Sequence, residues 1–520
     1  MVPITQQRMT MSDVLARHAR KTPDHVAVRF LGESHTYSEL DESVNRLANA
    51  LLERGVRRGD RIAVLTLNNP ETVEAFYASA RIGATTVPVN FRLVADEMAY
   101  ILNDSEVSVI IVDEALAPVA ATACAQVPSL RHGVVIGSAR ETGMGWESYD
   151  HVLGTSSAAE VRIEVDEDSP AFIMYTSGTT GRPKGAVLTH YNLAMHTASL
   201  LIHLAWPRDL RVWLAATPLF HIAGVAAILP ALLRGDTVVI SRMGAFDAGQ
   251  IIELLEHERV NVCTFVPAQW QMICDFRDID KHDLSALRSA AWGAAPATPA
   301  LLHKIMEMFP GVMLYSMFGQ TETSPVTTVL MGEDAVRKVG SIGTPMLNVE
   351  VRIVDVEMND VAVGEVGEIV YRAPTVMKEY WNNPSATAAA FEGGWFHSGD
   401  LVRQDEEGYI YVVDRLKDMI ISGGENVYCA EVENVVADHP KVAEVAVIGV
   451  PDDRWGEVAL AVVVPRNLDD PLSVEELDRW CRARLAVYKC PKRLTTVDVL
   501  PRNASGKVLK TDLRTMFESY

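Results

Sequence analysis

The sequence predicts an α/β protein with a large N-terminal domain and a small C-terminal α/β domain, on three observations. At 520 residues the chain exceeds what one hydrophobic core usually supports. Helix-period and strand-period apolar patterns alternate along it, as in an α/β protein. After Tyr411-Val-Val-Asp-Arg-Leu416 the pattern becomes a compact α/β unit, which places a boundary at Lys417 and divides the chain into residues 1–416 and 417–520.

The elements follow in order. Met11–Lys21 has the spacing of an amphipathic helix, and Val26–Phe30 reads as a strand. The Gly59-Asp60 turn precedes a strand over Arg61–Leu67 and a helix over Pro70–Ile82. Val107–Val112, Val134–Ile136, Ala171–Tyr175, Thr237–Ile240 and Val262–Val266 are short apolar runs with strand character. Residues 137–165 are less regular and fit a surface loop or a crossing between subdomains. Beyond the boundary, Glu431–Asp438 and Val474–Ala486 read as helices and Val442–Val450 and Ala459–Val464 as strands. There is no internal repeat or low-complexity tract.

Composition excludes some function classes. With 47 basic against 68 acidic residues the net charge is −21, which argues against a nucleic-acid partner. Anionic substrates must then be held by a few local cations. Six cysteines lie far apart without CxxC spacing and read as reduced thiols of a cytoplasmic protein. Residues Met1–Arg8 lack an apolar signal core, the Ile222–Leu233 run is too short to cross a bilayer, and Phe517-Glu-Ser-Tyr520 is not a peroxisomal address.

The segment Thr176-Ser-Gly-Thr-Thr-Gly-Arg-Pro-Lys-Gly185 follows an apolar strand and gathers three glycines, four hydroxyl side chains, an arginine and a lysine. Such a loop offers many N–H and O–H donors to a polyphosphate. It is not the common P-loop, because Lys184 follows Pro183 and Gly185 is followed by Ala186. Taken alone it could equally be a surface loop. The same chain then presents Pro218-Leu-Phe-His-Ile-Ala-Gly224, Gly293-Ala-Ala-Pro296, Tyr315-Ser-Met-Phe-Gly-Gln-Thr-Glu-Thr323, Gly367-Glu-Ile-Val-Tyr-Arg372, Trp395-Phe-His-Ser-Gly-Asp-Leu401, Asp414-Arg-Leu-Lys-Asp418 continuing to Asn426, and Pro501-Arg-Asn-Ala-Ser-Gly-Lys507.

In this order and over nearly the whole length, the series resembles the adenylate-forming enzymes: acyl-CoA synthetases, aryl-CoA ligases, luciferases and peptide-synthetase adenylation domains. The resemblance implies a multi-sheet N-terminal domain, a small mobile C-terminal lid, and ATP, Mg²⁺ and CoA as the small molecules handled. It implies that Thr176, Ser177, Gly178, Thr179, Thr180, Gly181 and Lys184 wrap the phosphates. Adenine would lie between Phe318, followed by Gly319, and the Gly293, Ala294, Ala295, Pro296 loop. Asp400 and Arg415 would hold the ribose. Glu322 would carry Mg²⁺, which prefers hard oxygen ligands, and Thr321 would donate to the α-phosphate. Lys507 would bridge carboxylate and α-phosphate, Lys417 would be the lid hinge, and His221 would stand at the mouth of the acyl tunnel. Gly423 and Gly424 would let pantetheine pass and Lys492 would meet a CoA phosphate. Two departures from the family pattern are Cys429, where proline is usual, and Cys490, where CoA ligases often carry a basic residue.

The acid is read from the segment after His221. Leu219–Leu233 contains no acidic residue to hold an ammonium, which favours an acid without an α-amine. Ala223, Gly224, Val225 and Ala227 suggest an open apolar tunnel. The segment Ser422–Tyr428 with Pro451–Glu457 is most similar to bacterial fatty-acyl-CoA synthetases, so a medium- or long-chain fatty acid is expected. Aryl, alicyclic or steroid-derived acids are the alternatives. No carrier-protein segment is fused to the chain, so free CoA is the expected acceptor, with loading of a separate acyl-carrier protein as the alternative. A luciferase-like oxygenase shares the adenylation set, and a binding-only paralogue should lack Lys507 or Glu322. Peripheral membrane contact and self-association are compatible with the sequence.

Overall fold

The computed structural model describes residues 8–138, 144–176, 182–209, 211–293, 295, 297–422, 425–452, 454–502 and 508–517. Contacts divide the chain into two compact units: one runs to residue 350 and includes 371–396, and the other comprises 351–370 and the chain from 397 onward.

The first unit contains two sheets. In one, eight strands lie in the order Glu379–Tyr380, Lys184–Thr189, Pro170–Thr176, Thr85–Pro88, Arg61–Leu65, Val109–Asp113, His132–Ile136, Glu147–Ser148. The pairs from Pro170–Thr176 onward are parallel, and the first three strands pair antiparallel. The other sheet of this unit carries a parallel block of Val26–Phe30, Thr237–Ile240, Val212–Ala215, Val262–Phe265, Ser289–Gly293 and Met313–Gly319. Val326–Met331 and Ser341–Pro345 extend it antiparallel at one end and Glu33–Thr36 at the other.

The helix Pro70–Ile82 shows why the first unit holds together. Asn69 caps it by accepting from the Thr72 N–H, Pro70 supplies its first residue, and Gly83 closes it in the left-handed region at φ 69°. Every residue but Glu71 is buried, as expected for a helix clad on all sides. It packs against strands of both sheets, and Phe76 meets Phe172 edge to face at 5.1 Å.

In the second unit, residues 367–370, 397–404 and 410–415 lie in adjacent strands. The long antiparallel pair Val442–Asp452 and Gly456–Pro465 is flanked by Ile420–Ser422, Glu425–Val427 and the parallel Arg493–Thr496. Apolar clusters cover both faces of this small sheet, one built on Val432, Leu477 and Cys490 and the other on Ile448, Leu500 and Leu513.

The strand expected over Arg61–Leu67 stops at Leu65. There Asp113 takes the Leu67 N–H and the Asn69 amide, drawing the chain out of the ladder into the helix cap. The helix expected to reach Ala486 ends at Arg482. Within the irregular 137–165 segment, Tyr149–Thr155 forms a helix. All six cysteines are free and buried. Among the described residues no helix is long and apolar enough to cross a membrane.

Candidate active site

The glycine-rich segment joins two antiparallel strands, with Thr176 opposite Lys184. Ser177, Gly178, Thr179, Thr180 and Gly181 lie outside the described residues, as do Ala294, Pro296, Gly423, Gly424 and Lys507. The base of the segment is held from one side: the Tyr100 hydroxyl donates to the Pro183 carbonyl at 3.2 Å, and Tyr175 donates to Asp104 at 2.5 Å. Gly185 must lack a side chain, because a Cβ there would sit 2.6 Å from Ile173 Cγ2.

Glu322 is presented by a turn at the carboxyl end of Met313–Gly319, where open α/β sheets place ligands. Gly319, at φ 155°, makes the turn possible, since a Cβ would fall 1.8 Å from the Pro325 carbonyl oxygen. Thr323 Oγ1 donates to the Pro325 carbonyl at 2.8 Å, and Ser324, at φ 70°, donates to the Thr375 carbonyl at 2.7 Å. The result buries Glu322 to 7% exposure. Its Oε1 accepts from Thr176 Oγ1 at 3.3 Å and from Tyr380 Oη at 2.9 Å. Lys184 Nζ lies 4.9 Å from the centre of the Tyr380 ring, on its face. Burial and the neighbouring Glu322 push the Tyr380 phenol pKa up, so it stays a neutral donor. Thr176, Lys184 and Glu322 are thus brought together. Tyr380, which joins them, is not evident from the sequence.

Phe318 is half-buried in the same strand, and its neighbour Met317 pairs with Gly293 on the adjacent strand. Phe318 and Gly293 therefore sit side by side at the sheet's carboxyl edge; Thr321 is half-buried and Ala295 exposed.

His221 caps the helix Ile222–Arg234, its Nδ1 accepting from the Ala223 N–H at 3.2 Å, so Nε2 carries the proton of the neutral ring. Desolvation by neighbouring atoms lowers its pKa, although the residue is exposed. The turn before it is fixed by Asn68, 3% exposed, which donates to the Thr217 carbonyl at 3.0 Å and accepts from the Leu219 N–H at 2.9 Å. Phe220 packs edge to face on Phe91 at 5.3 Å. Gly224 is required by this packing, because a Cβ would lie 2.1 Å from the Pro218 carbonyl oxygen. Val225 has no exposed surface, while Ala223 and Ala227 are half-buried.

In the second unit Asp400, 3% exposed, lies opposite Arg415 across two antiparallel strands, with Arg415 Nε 2.6 Å from Oδ1. The turn that presents Asp400 is clamped by Glu368, which receives the Gly399 N–H and His397 Nδ1, each at 2.8 Å. This explains the company of two sequence segments, since Glu368 belongs to one and His397–Asp400 to the other. Lys417 is exposed in the turn between Ile410–Arg415 and Ile420–Ser422; its carbonyl accepts from Arg514 at 3.4 Å. Cys429 donates its thiol to the Asp418 carbonyl at 2.9 Å, and Cys490 is buried in the small core. Lys492 is exposed and donates to the Val487 carbonyl at 3.3 Å.

Among the described residues no cluster of three or more potential metal ligands occurs. Glu322 fits a different kind of cation site. Among those residues both hydrogen bonds to its carboxylate fall on Oε1, from neutral hydroxyls, and no basic side chain pairs with it. A buried carboxylate whose one oxygen is held by neutral hydroxyls suits Mg²⁺, which takes one or two carboxylates plus substrate phosphate.

The AMP-binding enzyme family model matches residues 15–381, and that of the AMP-binding enzyme C-terminal domain matches 431–507. Feruloyl-CoA synthase of an Amycolatopsis species is 42% identical over 96% of this chain and 98% of its own. A long-chain-fatty-acid–CoA ligase of Mycobacterium tuberculosis is 38% identical over 99% of this chain and 98% of its own. The O-succinylbenzoate CoA synthetase of Bacillus subtilis, solved with ATP and magnesium ion, superposes with a TM-score of 0.84 at 33% identity, covering 96% of this chain and 99% of the other. The chain belongs to the AMP-binding, adenylate-forming enzyme family, as a member of its ATP-, Mg²⁺- and CoA-using acid–CoA ligase branch.

Proposed function

We propose that the protein joins a bulky apolar carboxylic acid to CoA through an acyl-adenylate, with an aryl-alkenoic acid as the first candidate and a medium- or long-chain fatty acid as the second. A carboxylate cannot expel oxide, so its oxygen first attacks the α-phosphorus of ATP and pyrophosphate leaves. The CoA thiol then attacks the acyl carbon and AMP leaves. The first step brings two anions together, and fixed donors and cations must offset that repulsion.

In this reading Thr176, Lys184 and the loop residues between them bind the phosphates, and Thr321 donates to the α-phosphate. Mg²⁺, when bound, neutralises phosphate charge at Glu322. Phe318 stacks on adenine beside Gly293, and Asp400 with Arg415 takes the ribose hydroxyls. Lys507 meets the carboxylate and α-phosphate during adenylation, and Lys417 is the hinge of a lid comprising 417–520. His221 positions the acid, and Lys492 meets CoA.

The observation that carries the choice of acid is Gly224. Its missing Cβ is demanded by the Pro218 carbonyl 2.1 Å away, and Val225 is sealed. One of the three small residues that suggested an open tunnel is therefore accounted for by packing. Phe220, next to His221 in the chain, instead packs edge to face on Phe91, and the 42% identical relative is named for an aromatic acid. Half-buried Ala223 and Ala227, with the long-chain relative, favour the second reading. A panel of ferulate, indole-acetate, decanoate and palmitate, scored for pyrophosphate release and for acyl-CoA, tests the choice. Ferulate should have the highest kcat/KM. A palmitate preference would reverse the order, and turnover of none of the four would reject both.

A further inference from the structure

We propose that Tyr380 is a positioning residue for the metal-carrying carboxylate: it holds Glu322 Oε1 by a neutral hydrogen bond while its ring keeps the Lys184 ammonium off that carboxylate. The inference rests on the reading of Glu322 as the Mg²⁺ ligand.

Tyr380 belongs to a two-residue strand that pairs with the strand leaving the glycine-rich segment, Tyr380 opposite Ala186 and Glu379 opposite Val187. The backbone around it is tied on both sides. Lys378 N–H donates to Val187 at 2.9 Å and Trp381 N–H to Gly185 at 2.7 Å, while Met377 N–H donates to the carbonyl of Glu322 itself at 2.7 Å. Thr387 Oγ1 accepts the Tyr380 N–H at 3.0 Å, and Trp381 Nε1 donates to the Asp104 carbonyl at 3.0 Å. This strap therefore bonds both to the strand beside the phosphate segment and to the main chain of the turn that carries Glu322. The tyrosine hydroxyl completes it, at 2.9 Å against 3.3 Å for Thr176.

The choice of donor has a consequence. A lysine or arginine in this place would neutralise the carboxylate and compete with a cation for it. A phenol orients one oxygen without bringing a positive charge to it. Lys184 lies 4.9 Å from the ring centre, where the aromatic face attracts its ammonium. Among the described residues no salt bridge joins it to Glu322.

Tyr380→Phe tests this because it keeps the ring and the strap and removes only the hydroxyl. Two readouts are needed: the Mg²⁺ midpoint for binding of ATP to the intact enzyme by calorimetry, and the Mg²⁺ midpoint for acid-dependent pyrophosphate release. Both should rise by about tenfold, the scale of one hydrogen bond to a charged group, while the KM for ATP at saturating Mg²⁺ stays within about twofold of wild type. Glu322→Gln is run in parallel. If it shifts the midpoints and Tyr380→Phe does not, the positioning role is wrong and the metal site stands. If Glu322→Gln leaves them unchanged, the metal assignment fails and the proposal with it. An increase in the KM for ATP at saturating Mg²⁺ matching the midpoint shift in Tyr380→Phe would show general damage to the nucleotide site and would also overturn it.

Discussion

Two glutamate–tyrosine pairs in the first unit, Glu74 with Tyr149 and Glu322 with Tyr380, use the same groups in different surroundings. Exposure does not separate them: Glu74 is 5% exposed and Glu322 7%. Each accepts a phenolic hydrogen bond, at 2.6 Å and 2.9 Å. Glu74 sits on a helix buried on all sides, and burial, with a smaller contribution from Glu71, pushes its pKa up to about 7 despite the bond from Tyr149. Glu322 sits at the carboxyl edge of a sheet, with Thr176 on the same oxygen and Lys184 across the tyrosine ring. One pair is built to hold a proton in a packed layer. The other lies among polar groups beside the glycine-rich segment. The lesson is that burial alone does not mark a site; the polarity of what surrounds the buried group does.

The largest expected effect follows from that difference. Glu322→Gln should lower acid-dependent pyrophosphate release by about 10²–10³, the usual loss for one preorganised contact at developing charge. Glu74→Gln should leave the rate within about threefold of wild type, since it touches no reacting group. Comparable losses in the two variants would erase the contrast.

A smaller effect sharpens it from the other side. Because the folded-state pKa of Glu74 lies above its ordinary value of 4.5, the folded protein holds a proton that the unfolded chain releases. Stability from this group is therefore fully present below about pH 4.5 and is lost as pH rises to about 7. In Glu74→Gln that loss disappears, so the variant's melting temperature relative to wild type should increase between pH 5 and pH 8. The free-energy change should be on the order of 1–3 kcal/mol. A difference independent of pH would mean that Glu74 is ionised in the fold throughout.

Local signals account for what was legible in the sequence. The helices Met11–Lys21 and Pro70–Ile82 begin and end where expected because Thr10, Asn69, Pro70 and Gly83 mark their ends within the segment. Strand Arg61–Leu65 is shorter than its apolar run because the bond that ends it comes from Asp113, on another strand. The candidate site divides in the same way. Thr176, Lys184 and Glu322 stand in recognisable segments and meet in space, and Asp400 and Arg415 pair as neighbours. Tyr380 gives no local signal, since its hydroxyl's partner is 58 residues away. The small residues after His221 read as tunnel space because sequence shows a missing side chain but not the carbonyl that excludes it at Gly224.

The central proposal is that an acyl-adenylate forms before any thiol is required. Rapid-quench analysis of the enzyme mixed with Mg²⁺, α-labelled ATP and an accepted acid, without CoA, tests it most directly. The account predicts an enzyme-bound acyl-AMP and a pyrophosphate burst near one equivalent. Adding CoA should then discharge the intermediate to AMP and thioester. Formation of ADP and phosphate, or absence of any labelled intermediate until CoA is present, would contradict it.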